Sequence, residues 1–233
     1  MSTDNVRFER EGRLGRVIFD RPDQGNRVNV ATMRDLIASL QQAHDTGVEV
    51  VVLSATGEDF SLGRDQDEKP TGMSKRDNLS LILEANDLLV GFQGVTVAAV
   101  RGRALGFGSG VVTQCDLSLA SDAARFGFTE IQHGFAPSIV MTYLETFVNR
   151  KVALDLLMTG RVINAVEAHR IGLLSQVVPD EQLDAVVDAS VASLLDKPIE
   201  ALRQCKFFLR EIATVPEAER GSFALDALTA GDG

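Results

Sequence analysis

The sequence predicts an α/β fold with a helical C-terminal region, and three observations carry that expectation. Short β-type runs alternate with helical patterns over residues 1–178, whereas helical patterns alone fill residues 179–233. Two of the runs, Val48 to Ser54 and Val95 to Val100, are almost continuously apolar and rich in β-branched residues. A strand of that kind is buried on both faces, as in a parallel sheet covered by helices. The chain has 233 residues, 45% of them hydrophobic and 24% charged, enough to enclose one sizeable core.

Taken in order, Arg7 to Phe19 holds two β-type runs around a turn at Glu11-Gly12, and Asp20-Arg21-Pro22 stops the second. Ala31 to His44 places Met33, Leu36, Ile37 and Leu40 at helical spacing. The Val48 strand breaks at Ala55 to Asp59, and the polar, mixed segment Phe60 to Lys69 reads as a loop. Leu79 to Phe92 is helical in pattern, and Val95 to Val100 is the second buried strand. A glycine-rich run, Gly102 to Gly110, precedes a short apolar helix at Val111 to Cys115. Leu117 to Ala120 and Ala124 to Phe128 are extended, and Met141 to Met158 is largely helical. Val166 to Ile171 is a short helix closed by Gly172, and Leu173 to Val178 is a strand ended by Pro179. Leu183 to Leu195, Pro198 to Ile212 and Pro216 to Leu228 are helices.

Composition narrows the partners. The formal net charge of -10 makes a surface that repels nucleic acid and anionic membranes, so neither is expected to bind. Cys115 and Cys205 form no CxxC pair, and no Cys/His cluster has metal-ligand spacing. No metal is expected, and both thiols are expected to pack as small apolar groups in a reduced, cytoplasmic setting. The charged N-terminus, MSTDNVRFEREGRLGRV, lacks the apolar run of a signal peptide. No stretch reaches the ~20 apolar residues that span a bilayer.

Three segments have the makings of chemistry. Phe60-Ser61-Leu62-Gly63-Arg64-Asp65 follows the first buried strand; it is either a plain turn or a loop that aims a backbone N–H into a cleft. Arg101 to Gly110 lies between the second buried strand and a helix. Its small residues let free N–H groups at a helix start approach a ligand and stabilise an oxyanion. A dinucleotide fingerprint would need glycine at position 111, where Val111 stands, and no GKS or GKT completes a P-loop. The third segment, Phe126 to Pro137, sets Glu130 among apolar residues, where partial burial would raise its pKa and suit it to trade protons near neutral pH. The alternative for Glu130 is an ordinary capping or solvated carboxylate.

Together and in this order the segments resemble the enoyl-CoA hydratase/isomerase (crotonase) superfamily. The resemblance rests on Arg21-Pro22 near Asn26, the FxxGxD loop Phe60 to Asp65, and the Gly-rich stretch Ala98 to Asp116. It continues through the FGxxE segment Phe126 to Pro137 and the TGxxxxAxEAxxxGLxxxVV stretch Thr159 to Val178, and so covers nearly the whole chain. It implies a spiral of ββα units over residues 1–178 and a helical oligomerisation region over 179–233, assembling as a homotrimer or a dimer of trimers. It implies an acyl-CoA thioester as partner, with coenzyme A part of the substrate and no separate cofactor.

Carried over by position, the backbone N–H groups of Leu62 and Phe107 match the oxyanion hole, and Glu130 matches one catalytic glutamate. Gly63, Asp65, Gly106, Gly108 and Gly110 would shape the substrate site, and Arg64, Lys69 and Lys206 would meet the coenzyme A phosphates. Phe107 stands where the family usually has glycine or alanine. The second glutamate of the hydratases falls at Gly110 and is missing, which favours isomerase-type proton transfer over ordinary hydration. Hydration remains open if Asp65, His133 or a distant residue takes the lost role; a non-catalytic acyl-CoA-binding protein is a further alternative. His133 and Asp116 are more simply structural, Asp116 bonding local backbone at a helix end. The family commonly carries one more helix beyond the point where Gly233 ends this sequence.

Overall fold

The computed structural model describes residues 5–68 and 71–229. Lys69 lies outside the described residues. The chain opens with an antiparallel hairpin of β1 (Val6–Glu11) and β2 (Leu14–Phe19), turning through Gly12 at φ +59°. In α1 (Val30–Thr46) the Asn29 side chain accepts from the Thr32 amide at the start, and left-handed Gly47 ends the helix. Next come β3 (Val50–Ala55), α2 (Lys75–Val90) and β4 (Val95–Val100). The three-residue β5 (Arg103–Leu105) leads into α3 (Phe107–Gln114), followed by β6 (Leu117–Ser121) and β7 (Arg125–Gly127). Then follow α4 (Ser138–Met141), α5 (Arg150–Thr159), β8 (Ile163–Asn164), α6 (Ala165–Arg170) and β9 (Gln176–Val178). The chain finishes with α7 (Leu183–Leu195), α8 (Ile199–Glu211) and α9 (Arg220–Thr229).

One sheet runs β1-β2-β3-β4-β6-β9, parallel from β2 onward, and a small second sheet runs β5-β7-β8. The helices return the chain between parallel neighbours, consistent with the spiral that the family resemblance implies. The alternation of side chains splits each apolar strand between two cores. Val51 and Leu53 of β3 join the core that contains Met33, Leu36 and Leu40 of α1 and Leu89 of α2. Val50 and Val52, with Val95 and Val97, face the other way and are covered by Leu183, Val187 and Val191 of α7, spaced four apart on one helix face.

Three local expectations need correction. The helix after the glycine run opens at Phe107 rather than Val111, because Gly108 and Gly110 fit where larger residues would collide, and packing outweighs their poor helix propensity. Met141 to Met158 is not continuous: Tyr143 leaves the helical region at φ -132°, a 3-10 turn occupies Leu144–Thr146, and Asn149 caps a fresh helix by accepting from the Val152 amide. Cys205 is exposed on α8, whereas Cys115 is buried as expected, its thiol pushed far up by burial.

Candidate active site

The Phe60 to Asp65 loop is held from beneath. Asn26, fully buried, donates to the carbonyls of Thr56 (2.8 Å) and Asp59 (2.7 Å) and accepts from the Arg21 amide (2.8 Å). This explains why an Asn follows Arg21-Pro22: its side chain satisfies backbone that the turn leaves unpaired. Arg103 clasps Asp59 at 2.8 and 2.7 Å, a charge-assisted pair that holds the Asp59 carboxyl below its usual range. The loop is stitched to β5 by Ser61 N–H to Arg103 O (3.0 Å) and Leu105 N–H to Ser61 O (2.8 Å).

Close approach is bought with missing side chains. Gly63, at φ +87°, would bring a Cβ within 2.8 Å of Leu105 O, and Gly108 would bring one within 2.7 Å of Ser61 O. Gly106 caps α3 at φ 51°, and a Cβ on it would stand 3.2 Å from Glu130 Oε1 and 3.8 Å from the Gly63 Cα. Gly63, Gly106 and Glu130 therefore converge.

The main-chain donors differ from expectation at one position. The Leu62 N–H donates to Gly25 O at 3.0 Å, so it is not free to grip a carbonyl. The free amide is two residues on. Val28 N–H donates to Gly63 O (2.9 Å) and Asp65 N–H donates to Val28 O (3.0 Å), closing a parallel bridge between Val28 and Arg64. In that geometry the N–H of Arg64 itself points away from Val28, and it has no acceptor among the described residues. The Phe107 N–H, in the first turn of α3, likewise has none. Arg64 and Phe107 thus replace Leu62 and Phe107 as the pair of available amides.

Glu130 sits in a 3-10 turn, Thr129–His133, directly after β7. Its Oε2 is buried with no hydrogen-bond partner among the described residues. Burial holds the Glu130 carboxyl above its usual range; its own backbone amide and the charge of His133 pull the other way less strongly. A cavity of about 530 Å³ connects the parts, lined by Leu62 to Asp65, Gly106, Phe107, Glu130 and Tyr143 and by Leu79 and Ile82 of α2. Phe107 buries its ring while offering its amide.

The remaining candidates divide. Gly110 is buried in α3 and does not line the cavity; a Cβ there would lie 2.6 Å from the Tyr143 hydroxyl. Asp65 braces the loop, 3.4 Å from an Arg21 nitrogen, and also lines the cavity. Arg64 turns its guanidinium inward, to Asn78 Oδ1 (2.6 Å) and Asn29 O (3.3 Å), and burial lowers its pKa. It is a wall of the cavity rather than a solvated phosphate contact. Lys206 is not at the site. Its Nζ donates to Phe92 O (2.9 Å) and Gly94 O (3.1 Å) and pairs with Asp116 (2.7 Å), leaving the side chain 8% exposed. A lysine whose donors are all engaged has nothing left for a phosphate. Asp116 also accepts from the Thr96 amide and hydroxyl. His133 is exposed at the cavity rim. Sequence reading missed Tyr143, Arg27 and Lys75, all of which line the cavity; no periodicity or motif singles them out.

Comparison with known proteins bears on this geometry. The family model for enoyl-CoA hydratase/isomerase matches residues 9–228. A protein of Rhizobium meliloti (strain 1021) named "Probable enoyl-CoA hydratase" is 35% identical over 199 residues, which are 82% of this chain and 75% of that one. Crotonyl-CoA hydratase of Syntrophomonas wolfei is 31% identical over 211 residues, 88% of this chain and 81% of that one. Among solved structures, the enoyl-CoA hydratase of Mycobacterium smegmatis superposes with a TM-score of 0.90 at 25% identity, covering 97% of this chain and 90% of that one. A Thermobifida fusca YX protein solved in complex with acetoacetyl-CoA superposes with a TM-score of 0.86 at 29% identity, covering 97% and 94%. The crotonase-type spiral is therefore the fold of this chain.

Proposed function

The chain belongs to the enoyl-CoA hydratase/isomerase family, and from that premise we propose that it transfers a proton at the α carbon of an enoyl-CoA thioester, with Glu130 as the base. The observation that carries this reading is that Glu130, whose Oε2 is buried without a partner among the described residues, lines the same cavity as Arg64 and Phe107, whose main-chain amides have no acceptor among them. The Arg64 and Phe107 amides hold the thioester oxygen. Each such donor is worth about 2.7–4 kcal/mol when charge develops on that oxygen. Glu130 takes a proton from one carbon, the electron pair moves into the thioester as an enolate, and the same carboxyl returns the proton two carbons away. A single carboxylate is sufficient for this 3-enoyl to 2-enoyl isomerisation.

Arg27 and Lys75 are assigned to the coenzyme A phosphates, because they are cations lining the cavity. Coenzyme A enters as part of the substrate, with no separate cofactor. Assembly as a homotrimer or dimer of trimers is part of the same proposal, supported by Leu209, Leu225 and Leu228, which α8 and α9 leave exposed. No helix among the described residues is long and apolar enough to cross a membrane. Hydration of a 2-enoyl thioester is the second reading, favoured by the names of the relatives.

The test is incubation with 3-enoyl-CoA and 2-enoyl-CoA in D2O, following products and deuterium at the α carbon by mass spectrometry. Interconversion with exchange, both abolished by Glu130→Gln, is the expected result. Exchange that survives in that variant would remove Glu130 as the base. Thioester binding with neither exchange nor turnover would make the chain an acyl-CoA-binding protein instead.

A further inference from the structure

The hydroxyl of Tyr143, the only tyrosine in the chain, has no assigned task. It lies between α4 and the Leu144–Thr146 turn, its ring packed on the core and its residue lining the cavity that Glu130 lines. No hydrogen bond to that hydroxyl exists among the described residues, so it is held in place by packing and not by a polar partner. It fills the space beside Gly110: a Cβ at that position would meet the hydroxyl at 2.6 Å and the ring Cζ at 4.0 Å. Any side chain at 110 would have to displace it. Glu130 is close enough that its charge adds to the burial that keeps the Tyr143 phenol protonated well above neutral pH. Two residues lining the cavity thus carry oxygen atoms unpaired among the described residues, one a carboxyl and one a neutral hydroxyl.

Resting on the proton-transfer reading above, we infer that Tyr143 seats a water molecule against Glu130 and gives the site a hydration activity toward 2-enoyl thioesters. The Tyr143 oxygen accepts one hydrogen of the water, and the Glu130 carboxylate accepts the other. The water oxygen bonds to the β carbon as Glu130 takes that proton. The carbon–carbon π pair moves to the α carbon as an enolate, and protonated Glu130 returns the proton there. One water is consumed, Glu130 is regenerated, and Tyr143 keeps its own proton throughout.

Tyr143→Phe removes one oxygen and retains the ring that packs. Hydration and α-carbon exchange are measured side by side in the wild-type protein and in this variant, using 2-enoyl-CoA and the saturated acyl-CoA in D2O. Exchange on the saturated thioester needs no added water, so it reports on folding, binding and Glu130. The ratio of hydration to exchange is expected to fall by about two- to tenfold, the usual consequence of losing one neutral hydrogen bond. An unchanged ratio overturns the role of Tyr143, whether both rates hold or both fall together. Exchange without any hydration in the wild-type protein overturns it too, while leaving the Glu130 reading intact. Absence of exchange in the wild-type protein overturns both.

Discussion

In the proposed reaction Glu130 ties stability and activity to pH in opposite directions. Burial raises its pKa in the folded state, so the folded protein holds this proton more tightly than the unfolded chain does. The stability this contributes is fully present below the ordinary carboxylate value of about 4.3 and is lost as pH rises through the raised folded value. Glu130→Gln is therefore expected to raise Tm at neutral pH, with the gain shrinking as pH falls toward about 4. A variant less stable than wild type at neutral pH would contradict this. As the proposed base, Glu130 would act in its ionised form, so the acid limb of kcat/KM is expected to have its midpoint above about 4.3, and a midpoint at or below that value would argue against a buried base. The apolar neighbours Phe126, Phe128 and Ile131 left burial of Glu130 as one of two readings, and only the family resemblance singled the residue out. Tyr143 was not singled out, because its position against Gly110 depends on the break between α4 and α5, which no local pattern announces.

At the scale of elements, the site depends on how closely the Phe60 to Asp65 loop crosses the start of α3. Gly108→Ala would place a methyl 2.7 Å from Ser61 O, backbone that cannot rotate out of the way. The loop must shift, and the Arg64 and Phe107 amides separate. If these amides are the proposed oxyanion donors, kcat/KM is expected to fall by about 100-fold, the effect of losing one of them, alongside about 1–3 kcal/mol of stability. Steady-state kinetics with a thermal melt checks both; lost stability with unaltered kcat/KM would show that the crossing does not position the donors. The loop and the glycine run were each visible as motifs, but the choice between Leu62 and Arg64 was not. Side-chain patterns do not reveal which way a peptide unit faces, and the bonds with Gly25 and Val28 that decide it come from outside the loop.

For the whole molecule, Lys206 acts as a fastener. It joins α8 to the ends of α2, β4 and α3 through Phe92, Gly94 and Asp116. Lys206→Met is expected to cost about 3 kcal/mol, since it leaves Asp116 without its cation, while acyl-CoA affinity holds. Denaturant melts and a thioester titration separate the two; weakened affinity at full stability would return Lys206 to the ligand. The apolar runs at Val48 and Val95 were enough to read a doubly covered sheet, yet they could not say that α7 provides the second cover, because any amphipathic helix would satisfy the pattern. Arg64 carries a last implication. Its peptide nitrogen and its guanidinium serve separate ends, one without an acceptor among the described residues and the other bonded to Asn78 on the cavity wall. Exchanging that residue for a shorter one would re-cut this wall of the cavity while leaving a backbone N–H at the same position, so the shape of the compartment and its main-chain donor can vary independently.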